Sequence, residues 1–313
     1  MKQLTNTILM IRPVAFRMNE ETAVNNYYQH ELKGLTAKEI QTKALAEFDA
    51  FVSKLQEAGV NVIVIQDTML PSTPDSIFPN NWSSFHKEGK VGLYPMFAEN
   101  RRLERREDIL DTLEEKGFEI KDVIDYSSAE NEGIFLEGTG SIVLDRMTGV
   151  AYCALSPRAD EELFIEFCED FEYTPVVFHA YQTVHGKREL IYHTNVMMAV
   201  TQNYIIVCLD AIDDKKERKN LISHAKISGK EIVNITEQQV ENFAGNMLQV
   251  LGKDEQPITV MSQAAFDCLT EKQRELLSKD AVLLSSDLST IEACGGGSAR
   301  CMMAEVFLEL RDS

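Results

Sequence analysis

Short apolar runs alternate along the whole chain with longer stretches whose apolar positions recur every three or four residues. The first pattern is that of strands with buried faces, the second that of amphipathic helices. Strands are expected at Thr7–Ile11, Val60–Ile65, Val91–Tyr94, Ser141–Leu144, Ala151–Leu155, Val176–Phe178, Val196–Val200, Tyr204–Cys208, Met247–Leu251, Ile258–Met261, Val282–Ser285 and Cys301–Val306. Helices are expected at Ala37–Ala58, Asn100–Lys116, Ala159–Asp170, Asp214–Ser228 and Gln263–Lys279, with a short surface turn near Glu237–Asn242. Pro157 and the Asp160-Glu161-Glu162 run mark a first turn, because carboxylates there oppose the positive end of the helix dipole. Ser72–Trp82, Ser127–Gly133 and Tyr181–Arg188 read as loops. No Pro-, Gly- or Ser-rich linker divides the chain, so the pattern predicts a single α/β domain over residues 1–313.

The pattern also repeats. Five segments share a layout of loop, polar cluster, strand, short turn, strand, helix and third strand. The polar clusters are Pro79-Asn80-Asn81-Trp82, Leu136-Glu137-Gly138-Thr139-Gly140, Tyr192-His193-Thr194-Asn195, Ala244-Gly245-Asn246 and Gly297-Ser298-Ala299-Arg300-Cys301. One position from each, Asn81, Glu137, His193, Asn246 and Cys301, follows the last by 56, 56, 53 and 55 residues. Repeats of about 55 residues stacked around an axis bring equivalent polar ends together. The strand at Thr7–Ile11 and the helix after it would complete the unit begun near Cys301, closing a ring.

Composition narrows the class. The 313 residues are 44% hydrophobic, enough for a large core, so disorder is excluded for the bulk of the chain. Lys and Arg number 31 against 50 Asp and Glu, a net charge of −19 that disfavours nucleic acid or an anionic membrane as partner. The six cysteines form no CxxC pair and no disulfide framework, and no stretch is long and apolar enough to span a bilayer. The N-terminus lacks the apolar run of a signal peptide. The expectation is a cytoplasmic protein with a small-molecule substrate, and a homo-oligomer is compatible with it.

Cys301, His193 and Glu137 carry the chemistry. A thiolate is a good nucleophile, an imidazole shuttles protons, and a carboxylate orients a substrate or holds a cation. Cys294 is the rival nucleophile, but it precedes the glycines and falls outside the repeat. No HxxxH or HxH spacing suggests a metal site, and Gly295–Gly297 lacks the Lys-Ser/Thr of a phosphate loop, so neither metal nor cofactor is expected. Trp82, beside Asn81, is placed as a pocket wall or a core aromatic. The mixed-sign run Asn100–Asp108 reads as a solvated helix face.

Gly295-Gly296-Gly297-Ser298-Ala299-Arg300-Cys301-Met302 resembles the nucleophile loop of the guanidino-group-modifying (pentein) superfamily, which includes arginine deiminases, dimethylarginine hydrolases and amidinotransferases. Phe135-Leu136-Glu137-Gly138 is similar to its glutamate-glycine motif, and His193-Thr194-Asn195 stands where its His-x-Asp falls. Leu155-Ser156-Pro157-Arg158 looks like the segment that supplies an arginine to the substrate carboxylate. The resemblance covers essentially the whole chain. It implies a five-bladed, pseudo-fivefold α/β propeller, a covalent cysteine intermediate and no metal, and within the superfamily it is strongest to the citrulline utilization hydrolase group.

The departures from the superfamily pattern bear on substrate. Where arginine-processing members carry aspartates, this chain has Asn81 and Asn195. An ionised carboxylate only accepts hydrogen bonds, whereas an amide donates and accepts, as a neutral ureido group requires. The resulting expectation is hydrolysis of citrulline to ornithine, ammonia and carbon dioxide. Cys301 would be nucleophile and His193 acid and base, with Glu137 holding the substrate and keeping His193 protonated. Asn81, Asn195, Asn246 and Trp82 would line the substrate site, and Arg158 would bind the α-carboxylate. An arginine deiminase, an amidinotransferase and a non-catalytic propeller used for binding are the competing readings.

Overall fold

A computed structural model describes residues 2–311. Numbered along the chain, β1 (Thr7–Arg12) and β2 (Asn61–Gln66) lie parallel, joined through the helix Ala37–Glu57. Next come β3 (Ser83–Phe85), β4 (Lys90–Leu93) and β5 (Asp122–Asp125), then β6 (Ile142–Asp145), β7 (Val150–Ala154) and β8 (Thr174–Phe178). A hairpin of β9 (Tyr181–Val184) and β10 (Lys187–Leu190) leads to β11 (Met198–Val200), β12 (Tyr204–Val207) and β13 (Glu231–Asn234). The chain ends with β14 (Leu248–Leu251), β15 (Pro257–Ser262), β16 (Val282–Ser286) and β17 (Ala304–Glu305).

These strands make five three-stranded sheets with one plan: β3-β4-β5, β6-β7-β8, β11-β12-β13, β14-β15-β16 and β17-β1-β2. In each, the first pair is antiparallel and the second parallel. A short turn suffices for an antiparallel pair, while a parallel pair needs a crossover, here a helical segment. The repeat read from the sequence is therefore a repeat of structure. In the fifth sheet β17 pairs with β1, so the two ends of the chain share a sheet.

Burial falls from first strand to third. Every residue of β3, β6 and β11 is buried, whereas β5 and β13 hold mostly exposed or half-buried positions such as Asp122, Asp125 and Glu231. The apolar side chains between sheets and helices form four clusters. The cluster under Ala37–Glu57, for example, joins Phe48, Phe51 and Leu55 to Ile8, Val260 and Met302. Thr36 and Glu39 cap that helix reciprocally, satisfying two amides at its N-terminus.

Several expected boundaries move. The helix expected at Asn100–Lys116 is two, Glu99–Arg102 and Glu107–Glu115, and that at Gln263–Lys279 breaks where Thr270 starts a new capping box with Gln273. Tyr181–Arg188 is no loop but most of the hairpin, turning on His185 and Gly186, both with positive φ (48° and 79°). That combination suits a two-residue turn matched to strand twist. Cys301–Val306 is not a strand. A 3-10 turn spans Ala299–Met302, and β17 is two residues long. No helix among the described residues is long and apolar enough to cross a membrane.

Candidate active site

The polar clusters stand at the starts of the innermost strands, and their side chains meet. The helix Ser289–Gly295 ends on Gly296 in the left-handed region (φ 61°), which releases the chain into the turn bearing Cys301. The Cys301 amide donates to Ser298 O (3.0 Å) and Asn246 Oδ1 (3.3 Å). Its sulfur receives Asn246 Nδ2 (3.2 Å) and Asn195 Nδ2 (3.5 Å). Asn246 Nδ2 also donates to the backbone carbonyl of Asn195 (3.0 Å), which ties the two segments together beside the sulfur. Ser298 Oγ donates to the buried Glu292 (2.6 Å), tying the glycine loop to the helix before it.

Glu137 and His193 form the second element, with His193 Nε2 at 2.7 Å from Glu137 Oε2. Glu137 Oε1 accepts from Phe97 N (3.0 Å), and Arg158 Nη1 lies 3.5 Å from Oε2. The motif glycines make room. A Cβ on Gly140 would stand 2.4 Å from Asn81 Nδ2 and 2.8 Å from the His193 ring. Burial alone would raise the Glu137 pKa, but Arg158, His193 and Arg101 outweigh it and hold the carboxylate ionised, at about 2. For His193 burial wins over Glu137, with Arg158 and Arg101 adding to it, so its pKa falls to about 4. Burial thus works against the expectation that Glu137 keeps His193 protonated.

Cys301, His193, Asn81 and Arg158 line one narrow cavity with Thr22, Asn26, Asp75, Phe78, Arg101, Tyr192, Gly295 and Gly297. Asn19–Gln29 covers it: Asn26 and Gln29 donate to Gly295 O, and Tyr192 Oη to Gly296 O. The fork of Arg158 is engaged by this cover, through Thr22 O (2.8 Å) and Asn25 Oδ1 (2.9 Å), so it is not free for a substrate carboxylate as expected. Asn195 touches the sulfur and does not stand apart as a substrate ligand. Trp82 packs with Phe85, Val91 and Met96 in the core and does not line the cavity.

Sequence reading missed Arg101, Glu104 and Asp75. Arg101, 2% exposed, forks onto Glu104 (3.0 and 2.9 Å) and donates to Asn81 Oδ1 (2.7 Å) and Phe78 O (3.1 Å). The solvated-face reading of Asn100–Asp108 is thus wrong at Arg101 and Glu104, where two charges pair in the interior. Only the break at Leu103–Arg106 distinguishes them, and a charge count does not reveal it. Asp75 accepts from Asn19 (2.8 Å) and Thr22 (3.1 Å) through Oδ2, while its buried Oδ1 has no partner among the described residues.

This architecture is that of the guanidino-group-modifying, or pentein, superfamily. A model of the N,N-dimethylarginine dimethylhydrolase family, in its eukaryotic form, matches residues 12–308, and the chain belongs to that family. Among solved structures it is similar to ArgZ, an arginine dihydrolase of the ornithine–ammonia cycle in cyanobacteria (TM-score 0.72, 17% identity, 97% of this chain and 41% of that one). The N-terminal domain of ArgZ with bound substrate matches over 96% of this chain and 97% of its own (TM-score 0.71, 18% identity). A dimethylarginine hydrolase of Pseudomonas aeruginosa, complexed with citrulline, matches over 97% and 100% (TM-score 0.63, 16% identity). The chain thus spans about two fifths of full-length ArgZ. No curated protein matches it.

Proposed function

We propose that the protein is a cysteine-dependent hydrolase that converts citrulline and water to ornithine, ammonia and carbon dioxide. The amide of Asn81 carries this reading: it lines the cavity where arginine-processing members of the superfamily carry an aspartate. An aspartate there would suit a cationic guanidinium, whereas an amide, which both donates and accepts, suits a neutral ureido group. Asn81, whose carbonyl already serves Arg101 and whose Nδ2 donates to Asn80 Oδ1 (3.2 Å), has its second amide N–H for the ureido oxygen. The unpartnered oxygen of Asp75 suits the substrate ammonium.

Neutral His193 takes the thiol proton, and the sulfur, set by the Asn195 and Asn246 amides, attacks the ureido carbon. The imidazolium, stabilised by Glu137, then protonates the departing δ-nitrogen and ornithine leaves an S-carbamoyl group on Cys301. Water, deprotonated by His193, releases carbamate, which breaks down to ammonia and carbon dioxide. Arg158 serves in this scheme to hold the cover and Glu137 in register. The five sheets are read as blades closed around an axis, supported by approaches of β6 to β11, β11 to β14 and β17 to β3. Six free thiols are in keeping with a reducing, cytoplasmic setting.

Family membership and the likeness to ArgZ support a second reading, in which arginine or N,N-dimethylarginine is hydrolysed first. Purified protein incubated separately with the three amino acids decides between them. Ornithine from citrulline, with the other two unchanged, is expected. Citrulline released from arginine or dimethylarginine would overturn the assignment.

A further inference from the structure

The strands that follow Asn81 and Glu137, β3 and β6, also organise a second cavity where they end. His86 follows β3 and Arg146 follows β6, and between them lies a pocket lined by Lys2, Lys87, Lys90, Arg146 and His86, with Phe171, Tyr173 and Phe307 as apolar wall. It shares no lining residue with the catalytic cavity. Four cations face two carboxylates, Glu88 and Glu172, both at exposed positions, in a chain whose net charge is −19.

Arg146 is the centre of this cluster and is 4% exposed. Its guanidinium lies 4.1 Å over the Phe307 ring and 3.9 Å from Glu305, a carboxylate already bound at 2.7 Å to Arg300. It also reaches His86 Nδ1 at 3.3 Å and donates to the Tyr173 hydroxyl. Because a guanidinium only donates, His86 Nδ1 accepts there, which leaves its Nε2 to donate to Ser84 Oγ (2.7 Å), bonded in turn to Tyr94. Burial, Arg146 and Lys90 all act against a second charge on the ring. A buried guanidinium with one shared, distant carboxylate is incompletely neutralised. Lys87 has no ion pair among the described residues, and Lys90, which donates to Asp170 O (3.2 Å), lies 5.9 Å from the Phe171 ring centre.

We propose that this pocket binds a compact oxyanion, a phosphate or a carboxylate, on the Arg146 fork with Lys87 and Lys90 closing over it. A planar fork pairs two oxygens at once, and an apolar wall strengthens each contact by excluding water. Glu88 and Glu172 hold positive φ (63° and 59°) at the rim, which sets both turns away from the ordinary backbone regions beside the cations.

Calorimetric titration of the full chain with inorganic phosphate and with citrate, against sodium chloride of equal ionic strength, tests this. Saturable one-to-one binding of either anion above the chloride control is expected, phosphate or citrate identifying which oxyanion source the site accepts. The surface double variant Lys87→Gln, Lys90→Gln, which leaves the buried chain of Arg146, His86 and Ser84 intact, should weaken that binding at least tenfold. Arg146→Gln, checked for a native thermal transition, should abolish it. Absence of saturable binding, or binding that survives the double variant unchanged, overturns the proposal.

Discussion

At the scale of single residues, Cys301 and Glu292 make separable predictions. On the proposed mechanism, exchange of Cys301 for serine keeps the shape of the turn but replaces the attacking sulfur with a far weaker nucleophile, so kcat should fall by at least about a thousandfold. Mass spectrometry of the wild-type chain quenched with substrate should show an adduct on the peptide carrying Cys301, and an adduct elsewhere would refute the assignment. Glu292 does not touch the sulfur but anchors Ser298. Burial lifts its pKa from 4.5 to about 7, against the hydrogen bonds from Ser262 and Ser298. Between those values the folded chain holds a proton that the unfolded chain has released. Its contribution to stability is therefore complete below about pH 4.5 and is lost as pH rises through about 7, on the order of 3 kcal/mol in all. Urea unfolding at pH 5 and pH 8 should show this loss in the wild type and a smaller one in Glu292→Gln. Equal slopes for the two proteins would remove Glu292 as the cause.

Elements were legible where their pattern was local. The helix Ala37–Glu57 and strands such as β7 and β12 are long or uniformly apolar, and burial agrees with periodicity there. The peripheral strands β5 and β13 were missed because a strand exposed at the rim carries Asp, Glu and Asn like any loop. The turn before Cys301 was misread for the opposite reason: Cys301-Met302-Met303-Ala304 is apolar because it is buried, not because it is extended. Gly245 shows a close approach acting on the site. A Cβ there would stand 2.4 Å from Val196 O and 2.7 Å from Met197, backbone that cannot swing aside. Gly245→Ala should lower stability by roughly 1–3 kcal/mol and displace Asn246 from the sulfur, reducing kcat as well. Thermal unfolding paired with turnover checks both, and a variant of wild-type Tm and kcat would contradict the packing.

For the whole molecule, the pairing of β17 with β1 makes the last residues part of the first unit. A chain ending at Met303 would lose β17 and the buried Val306, Phe307 and Leu308. At about 1.5–3 kcal/mol for each large apolar side chain, the loss is comparable to the 5–15 kcal/mol that stabilises an ordinary domain. The truncated protein should lack a cooperative thermal transition, and retention of one within a few degrees of the full chain would show that the ends are independent. Composition and a period near 55 residues were enough to read the α/β class, the repeated unit and the five positions that meet, because hydrophobic pattern and spacing are properties of the chain itself. Which charges are buried, which fork is free and which amide touches the sulfur depend on segments from different units. Arg101 looks like any surface arginine until Glu104 and Asn81 enclose it, and Arg158 looks free until Thr22 and Asn25 take its donors. Those partners lie between 3 and 136 residues away, and only packing selects them, by the cost of leaving a charge alone in the interior.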